Sequence, residues 1–91
     1  MVWNYMEEIV RNCVSSILNN NPAYAGVCRC EQCIDDIMAK ALNNLKPYYI
    51  TTKKGEVYAE YSSLETQHQA EVIREVINAV EFVTNNSSHQ K

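Results

Sequence analysis

Residues 28–45 read CRCEQCIDDIMAKALNNL, a cysteine cluster that runs directly into apolar residues of helical spacing. The apolar positions recur at steps of three and four residues, which predicts an amphipathic helix from about Glu31 to Leu45. They are Ile34, Ile37, Met38, Ala41, Leu42 and Leu45. Pro47 ends this segment, because a proline disfavours helical backbone at the residue before it. The cysteines therefore lie in a turn at the start of a helix.

Two other segments of the chain have the same helical period. The first runs from Asn4 to about Asn20, with Asn4 as the predicted N-cap and Glu7 completing a capping box. The other follows the cap pair Ser62-Ser63 and ends near Thr84. Its predicted apolar stripe is Ala70, Ile73, Val76, Ile77, Val80 and Val83. The chain thus contains three predicted helices.

A β-hairpin is predicted between the second and third helices. Residues 48–52 and 56–59 are rich in β-branched and aromatic side chains, and residues 53–55, Lys-Lys-Gly, suit a short loop. The predicted fold class is mostly α: a three-helix domain with a short β-hairpin and a cysteine-rich zinc knuckle before the second helix. We expect one domain over residues 1–84 and a disordered tail over residues 85–91, which have no apolar side chain.

The composition is that of a small globular protein. The chain has 91 residues, of which 46% are hydrophobic and 21% charged, and it contains only 2 glycines and 2 prolines, too few turn formers for a β-sandwich. No apolar run approaches the length of about 20 residues that spans a bilayer, and no signal-peptide pattern is present. We therefore expect a cytoplasmic protein that is not bound to a membrane. In a reducing compartment its 4 cysteines favour metal binding or a place in the core over disulfides.

Cys28, Cys30 and Cys33 have the spacing Cys-x-Cys-x-x-Cys, which is typical of a zinc site because a tight turn directs such thiols at one point. The start of the second helix would also stabilise a thiolate at Cys33. A redox pair or unligated thiols are the alternatives. A closed zinc site needs a fourth ligand, for which Cys13 is the candidate, although its place in an apolar stripe equally suits a buried thiol. The other candidates are His68, His89, a residue of a partner chain and a water molecule.

The charge is unevenly distributed along the chain. Residues 37–55 contain no acidic residue and four lysines, Lys40, Lys46, Lys53 and Lys54. Since the net charge is −3 and this segment carries +4, the remainder carries −7. With Tyr48 and Tyr49 in the same segment, lysines and aromatic rings could bind a phosphate-bearing ligand with stacking bases, or could simply be solvated. The acidic balance argues against extended nucleic acid as a partner.

The sequence gives little support for catalysis. It contains no nucleophile elbow, no glycine-rich phosphate loop and no His-Glu-x-x-His motif. Asp35 and Asp36 are adjacent, so on a helix they point about 100° apart and cannot serve one site together. We expect a protein that is not an enzyme. A small zinc hydrolase or a thiol redox protein is the less favoured reading.

Several motifs in order along the chain resemble the late competence development protein ComFB family. They are residues 4–10, NYMEEIV, the cysteine motif leading to Asp36, residues 41–49, ALNNLKPYY, and Thr52-x-x-Gly55-Glu56-Val57-Tyr58. The resemblance implies a small helical domain with a short β element, commonly a homodimer, with zinc on the cysteines of those relatives that have them. Some proteins of this kind are receptors for the cyclic dinucleotides c-di-GMP or c-di-AMP.

The resemblance extends to individual positions. Asp36, Leu42, Asn43, Pro47 and Tyr49 match the segment that characterises the family. Together with the basic segment, this gives a candidate ligand-binding set of Asp36, Asn43, Tyr49, Lys53 and Lys54. We expect a non-enzymatic bacterial regulatory module, zinc-stabilised and homodimeric, with a link to competence or surface behaviour. A cyclic dinucleotide receptor is the sharper form of this expectation, and a zinc-bound adaptor for a protein partner is the alternative.

Overall fold

The computed structural model describes residues 2–51 and 54–86, and the side chains of residues 2–51 and 69–86. The elements in chain order are β1 (Trp3–Asn4), α1 (Met6–Asn20), a 3-10 turn (Pro22–Tyr24), α2 (Glu31–Leu42), β2 (Tyr49–Ile50) and α3 (Lys54–Asn85). The predicted class is confirmed: the fold is mostly helical, with three helices, a small antiparallel β element and three cysteines just before α2.

Helix α1 begins slightly later than predicted and ends where predicted. Its N-cap is Tyr5 rather than Asn4, but the Asn4 side chain still accepts a hydrogen bond from the first helical N–H, Met6, at 3.1 Å. Because Tyr5 already has helical φ and ψ and makes no side-chain cap bond, Asn4 performs the predicted capping from the position before the assigned N-cap. At the other end Asn21 is extended, with φ −110° and ψ 112°, as expected before Pro22.

Helix α2 begins at Glu31 as predicted but ends at Leu42, three residues before the predicted end at Leu45. The chain then forms a tighter, 3-10-type turn. In it the N–H groups of Asn44 and Leu45 donate to the carbonyls three residues before them, at 3.0 and 3.3 Å. This turn still buries Leu45, so the apolar face continues beyond the helix.

The β element has a different partner from the one predicted. Strand β2 lies within the predicted first strand of the hairpin, but it pairs antiparallel with β1, with Trp3 opposite Ile50 and Asn4 opposite Tyr49. The predicted second strand, residues 56–59, lies in α3, which begins eight residues before the predicted cap Ser62. The hairpin prediction is therefore wrong in its second strand, because β propensity is readily overridden by the surrounding structure. The predicted loop residue Lys53 lies outside the described residues.

The core lies where the three helices meet. Val10, Ile37, Val76 and Val80 are fully buried there. Around them pack Met6, Ile9, Val14 and Leu18 of α1, Met38 and Ala41 of α2, and Val72, Ala79 and Val83 of α3. On α3 the buried face is rotated from the predicted stripe, so that Ala70 and Ile73 are exposed.

Helix α3 ends at Asn85, one residue beyond the predicted limit of the domain. Residues 87–91 of the predicted tail lie outside the described part of the chain. Over the residues that were described, no helix combines the length and apolarity needed to cross a bilayer.

Candidate metal centre

The thiols of Cys28, Cys30 and Cys33 converge at the entrance to α2. Their three Sγ atoms all lie within 4.8 Å of one another. Cys30 is the N-cap of α2, with φ −66° and ψ 164°, and its sulfur accepts a hydrogen bond from the Cys33 N–H at 3.4 Å. The cap thus directs both sulfurs to the same side of the turn, with Cys33 buried and the other two exposed.

This arrangement can hold a metal ion. In a tetrahedral zinc centre with Zn–S bonds of about 2.3 Å, the sulfurs lie about 3.8 Å apart, so only a small contraction of the triad is needed. Cysteine binds a metal as the thiolate, and a helix N-terminus such as that of α2 is a favourable place for negative charge. Among the side chains that the structure describes, this is the only group of three or more potential ligands close enough to share an ion.

Arg29, between two cysteines of the triad, joins this turn to the end of α1. Its Nη2 donates to the Leu18 carbonyl, and its Nη1 donates to the carbonyls of Ala25 and Val27 at 3.3 and 3.1 Å. Arg29 is not among the residues that the sequence predicts to be functional. No sequence signal identifies such a contact, since it depends on where the end of α1 lies in space.

The structure does not bring the candidate fourth ligand, Cys13, into the triad. Cys13 is half-buried on α1 beside the core. Burial raises the pKa of its thiol, because desolvation disfavours the charged thiolate. The side chain of His68 and the whole of His89 lie outside what the structure describes.

The candidate ligand-binding residues lie on different parts of the fold. The Asp36 carboxylate accepts hydrogen bonds from Gln32 Nε2 at 3.0 and 3.2 Å on the exposed side of α2. Asn43 is exposed at the end of α2, and Tyr49 on β2 is 64% exposed. The side chains of Lys53 and Lys54 are not among those described.

Of the four lysines in the basic segment, Lys40 already has a partner. Its Nζ lies 4.5 Å from the centre of the Phe82 ring on α3, within the range of a cation–π contact. Lys46 is exposed on the connection between α2 and β2. Among the described side chains, the basic segment therefore offers one lysine that contacts an aromatic ring and one that is exposed.

A shallow cavity of about 170 Å³ lies between α1 and α2, next to the cysteine turn. Its walls are the apolar side chains of Val14, Leu18, Ile34 and Met38, and Arg11 and Arg29 also line it. The cysteine turn, α1 and α2 therefore leave a space between them, and the Arg29 side chain forms part of its lining.

The family model for late competence development protein ComFB matches residues 3–87 of the chain. The protein belongs to the ComFB family. The match includes the three cysteines, both strands and all three helices.

The fold is also similar to a solved structure, the late competence protein ComFB from Bacillus subtilis. The two chains are 20% identical and superpose with a TM-score of 0.78, covering 98% of this chain and 94% of the other. At this identity the likeness shows a shared ComFB fold. No curated protein matches the sequence.

Proposed function

We propose that this ComFB-family protein is a non-enzymatic regulatory module, stabilised by zinc and acting as a cytoplasmic homodimer in competence or surface behaviour. The observation that carries the zinc part is the convergence of the Cys28, Cys30 and Cys33 sulfurs within 4.8 Å. Three soft thiolate ligands favour zinc over the hard cations magnesium and calcium.

Because the domain is small, bound zinc would contribute to the stability of its fold. A chain of 91 residues has a small core, and metal binding adds free energy of folding. Cys28 lies in the loop that follows α1, and Cys33 is buried in the first turn of α2. A shared ion therefore holds the loop against the helix.

The test is the zinc content of the purified protein together with its melting temperature before and after chelation. We expect one zinc per chain and a lower melting temperature after stripping, restored by adding zinc. Cys30→Ser should abolish stoichiometric binding, whereas Cys13→Ser, a matched change outside the triad, should retain it. Less than about half an equivalent of zinc in the wild type, or unchanged melting after stripping, contradicts the proposal.

Reactivity of the native thiols separates a structural site from a hydrolase or a redox pair. In a closed zinc site, Cys28, Cys30 and Cys33 should react slowly with a thiol reagent until a chelator is added. Fast reaction of the zinc-loaded protein at Cys30 and Cys33 would favour a redox pair instead. Zinc-dependent turnover of ester or phosphoester substrates would favour a hydrolase.

A cyclic dinucleotide is a second candidate, favoured by the exposed ring of Tyr49. Exposed aromatic rings stack on bases, and Lys46 and Asn43 lie exposed a few residues before Tyr49 on the same connection. Lysines provide the charge that binds phosphates.

Calorimetric titration with c-di-GMP and c-di-AMP tests this candidate. We expect Tyr49→Ala and the double variant Lys53→Glu/Lys54→Glu to weaken binding. The charge-matched double variant Arg11→Glu/Arg74→Glu, on α1 and in the C-terminal half of α3, should leave binding unchanged. If neither nucleotide binds the zinc-loaded wild type at high micromolar concentration, a zinc-bound adaptor for a protein partner becomes the function to test.

A further inference from the structure

Arg29 lies between two metal-ligand candidates in sequence, yet its side chain reaches back to a different element. The guanidinium group donates to the carbonyls of Leu18, Ala25 and Val27, which belong to the last turn of α1 and to the loop that follows it. One side chain therefore binds the two segments that precede the cysteine turn.

The Leu18 contact satisfies a group that the helix itself leaves unpaired. The last four carbonyls of an α-helix have no intrahelical donor. In α1 the first of these, Ile17, accepts from the Asn21 N–H at 3.2 Å, and the next, Leu18, accepts from Arg29. A cation at a helix C-terminus is also favoured by the helix dipole.

We propose that Arg29 is a positioning residue that couples the metal centre to the end of α1. The inference rests on the proposed zinc site. When Cys28 and Cys30 both bind an ion, the backbone at Arg29 between them is held in place, so the guanidinium stays aligned with its three carbonyl partners. Because coupling is reciprocal, those hydrogen bonds in turn hold the turn in the geometry that binds the ion.

If Arg29 acted only through its positive charge, Arg29→Lys would bind zinc as well as the wild type does. A positive charge near the triad would stabilise thiolates whether it came from arginine or lysine. Arg29 reaches its three carbonyls from two nitrogens that the guanidinium holds apart in a rigid plane, whereas a lysine carries all three of its donors on one nitrogen. Arg29→Lys therefore distinguishes geometry from charge.

The matched control is Arg11, which also lines the cavity between α1 and α2. Arg11 is exposed and makes no hydrogen bond or ion pair with any residue in the described part of the chain. Arg11→Ala thus removes the same charge from the same surface without removing a contact to the carbonyls.

The first experiment measures the zinc affinity of the full chain by competition with a chromogenic chelator. We expect Arg29→Ala to weaken zinc binding by about 10–100-fold, as loss of an outer-shell contact does, and Arg29→Lys to weaken it at least several-fold. Arg11→Ala should stay within about twofold of the wild type. Equal affinities of Arg29→Ala and Arg11→Ala, or full rescue by Arg29→Lys, overturn the positioning role.

Hydrogen exchange supplies a readout that a loss of stability alone would not give. The N–H groups of Ala25 and Val27 bond within the loop at 3.2 and 3.1 Å, so their exchange reports its order. Zinc loading should slow their exchange in the wild type and in Arg11→Ala, but not in zinc-saturated Arg29→Ala. The same zinc-dependent slowing in all three proteins overturns the coupling. If the wild type binds no zinc, the proposed function itself is wrong. This result is distinct from zinc binding without coupling to Arg29, which overturns the positioning role alone.

Discussion

Asn4 joins two parts of the chain through a single oxygen atom. Its Oδ1 accepts hydrogen bonds from the Met6 N–H at 3.1 Å and from the Tyr48 N–H at 2.7 Å, although Tyr48 lies 44 residues further along the chain. The side chain therefore both satisfies the start of α1 and attaches it to the segment leading into β2.

Asn4→Ala should lower the free energy of unfolding by about 1–3 kcal/mol, because both N–H groups lose their acceptor. Asn4→Asp keeps a side-chain oxygen and should lie closer to the wild type. Chemical denaturation of the zinc-loaded protein measures both. The control is Asn12→Ala on the exposed face of α1, which should change stability by no more than about 0.5 kcal/mol. A loss at Asn4 no larger than at Asn12 would show that the two hydrogen bonds contribute nothing to stability.

The raised pKa of the Cys13 thiol predicts a loss of stability at alkaline pH. The unfolded chain releases the thiol proton at a lower pH than the folded chain does, so this contribution is complete below about pH 8.5 and is lost as the pH rises further. In the presence of chelator, the free energy of unfolding should fall less steeply between pH 8 and 10 in Cys13→Val than in the wild type. Parallel curves for the two proteins would refute the desolvation of the half-buried Cys13 thiol.

The structural elements differ in how far the sequence predicts them. The start of α2 and the end of α1 follow from patterns within a few residues, namely the cysteine turn and Asn21-Pro22, and both predictions are correct. The partner of β2 depends on a pairing between Trp3 and Ile50, far apart in the chain, and this prediction failed. The cysteine triad was predictable because its spacing is local, whereas the role of Arg29 requires the position of α1.

A substitution at Ser63, one of the two serines predicted to cap α3, tests whether the helix instead begins at Lys54. If Ser63 lies within a continuous helix from Lys54, Ser63→Ala should raise the free energy of unfolding by a few tenths of a kcal/mol, because alanine has the higher helix propensity. If the helix instead began at Ser63, the same change would lower stability by about 1 kcal/mol. Chemical denaturation therefore distinguishes the two helix starts by the sign of the effect.

Among the side chains that the structure describes, several of the large apolar ones that are exposed lie at or beside the β element. Val2 and Tyr49 are 63% and 64% exposed, and within the described residues β1 and β2 pair only with each other. Open strand edges and exposed apolar side chains favour association with another chain. This supports the proposed homodimer, for which we propose the β element as the interface. In such a dimer the Tyr49 ring is not accessible to a nucleotide base, so the homodimer and the nucleotide site are alternative uses of this surface.

Sedimentation measurements should therefore give about twice the chain mass of 10.4 kDa. The double variant Val2→Lys/Tyr49→Lys should sediment as a monomer, because two buried positive charges would oppose the interface. Ile73→Lys, at an exposed position on α3, should remain dimeric. A monomeric wild type contradicts the homodimer, and a dimer that survives the double variant places the interface elsewhere.

The pairing of β1 with β2 also sets an order of events during synthesis. Ile50 leaves the ribosome 47 residues after its partner Trp3, roughly two to ten seconds later at about 5–20 residues per second. Meanwhile α1, the cysteine turn and α2 are all available, and their contacts are nearer in sequence and form sooner. The nascent chain can thus bind the proposed metal ion before the strand that pairs with β1 is available.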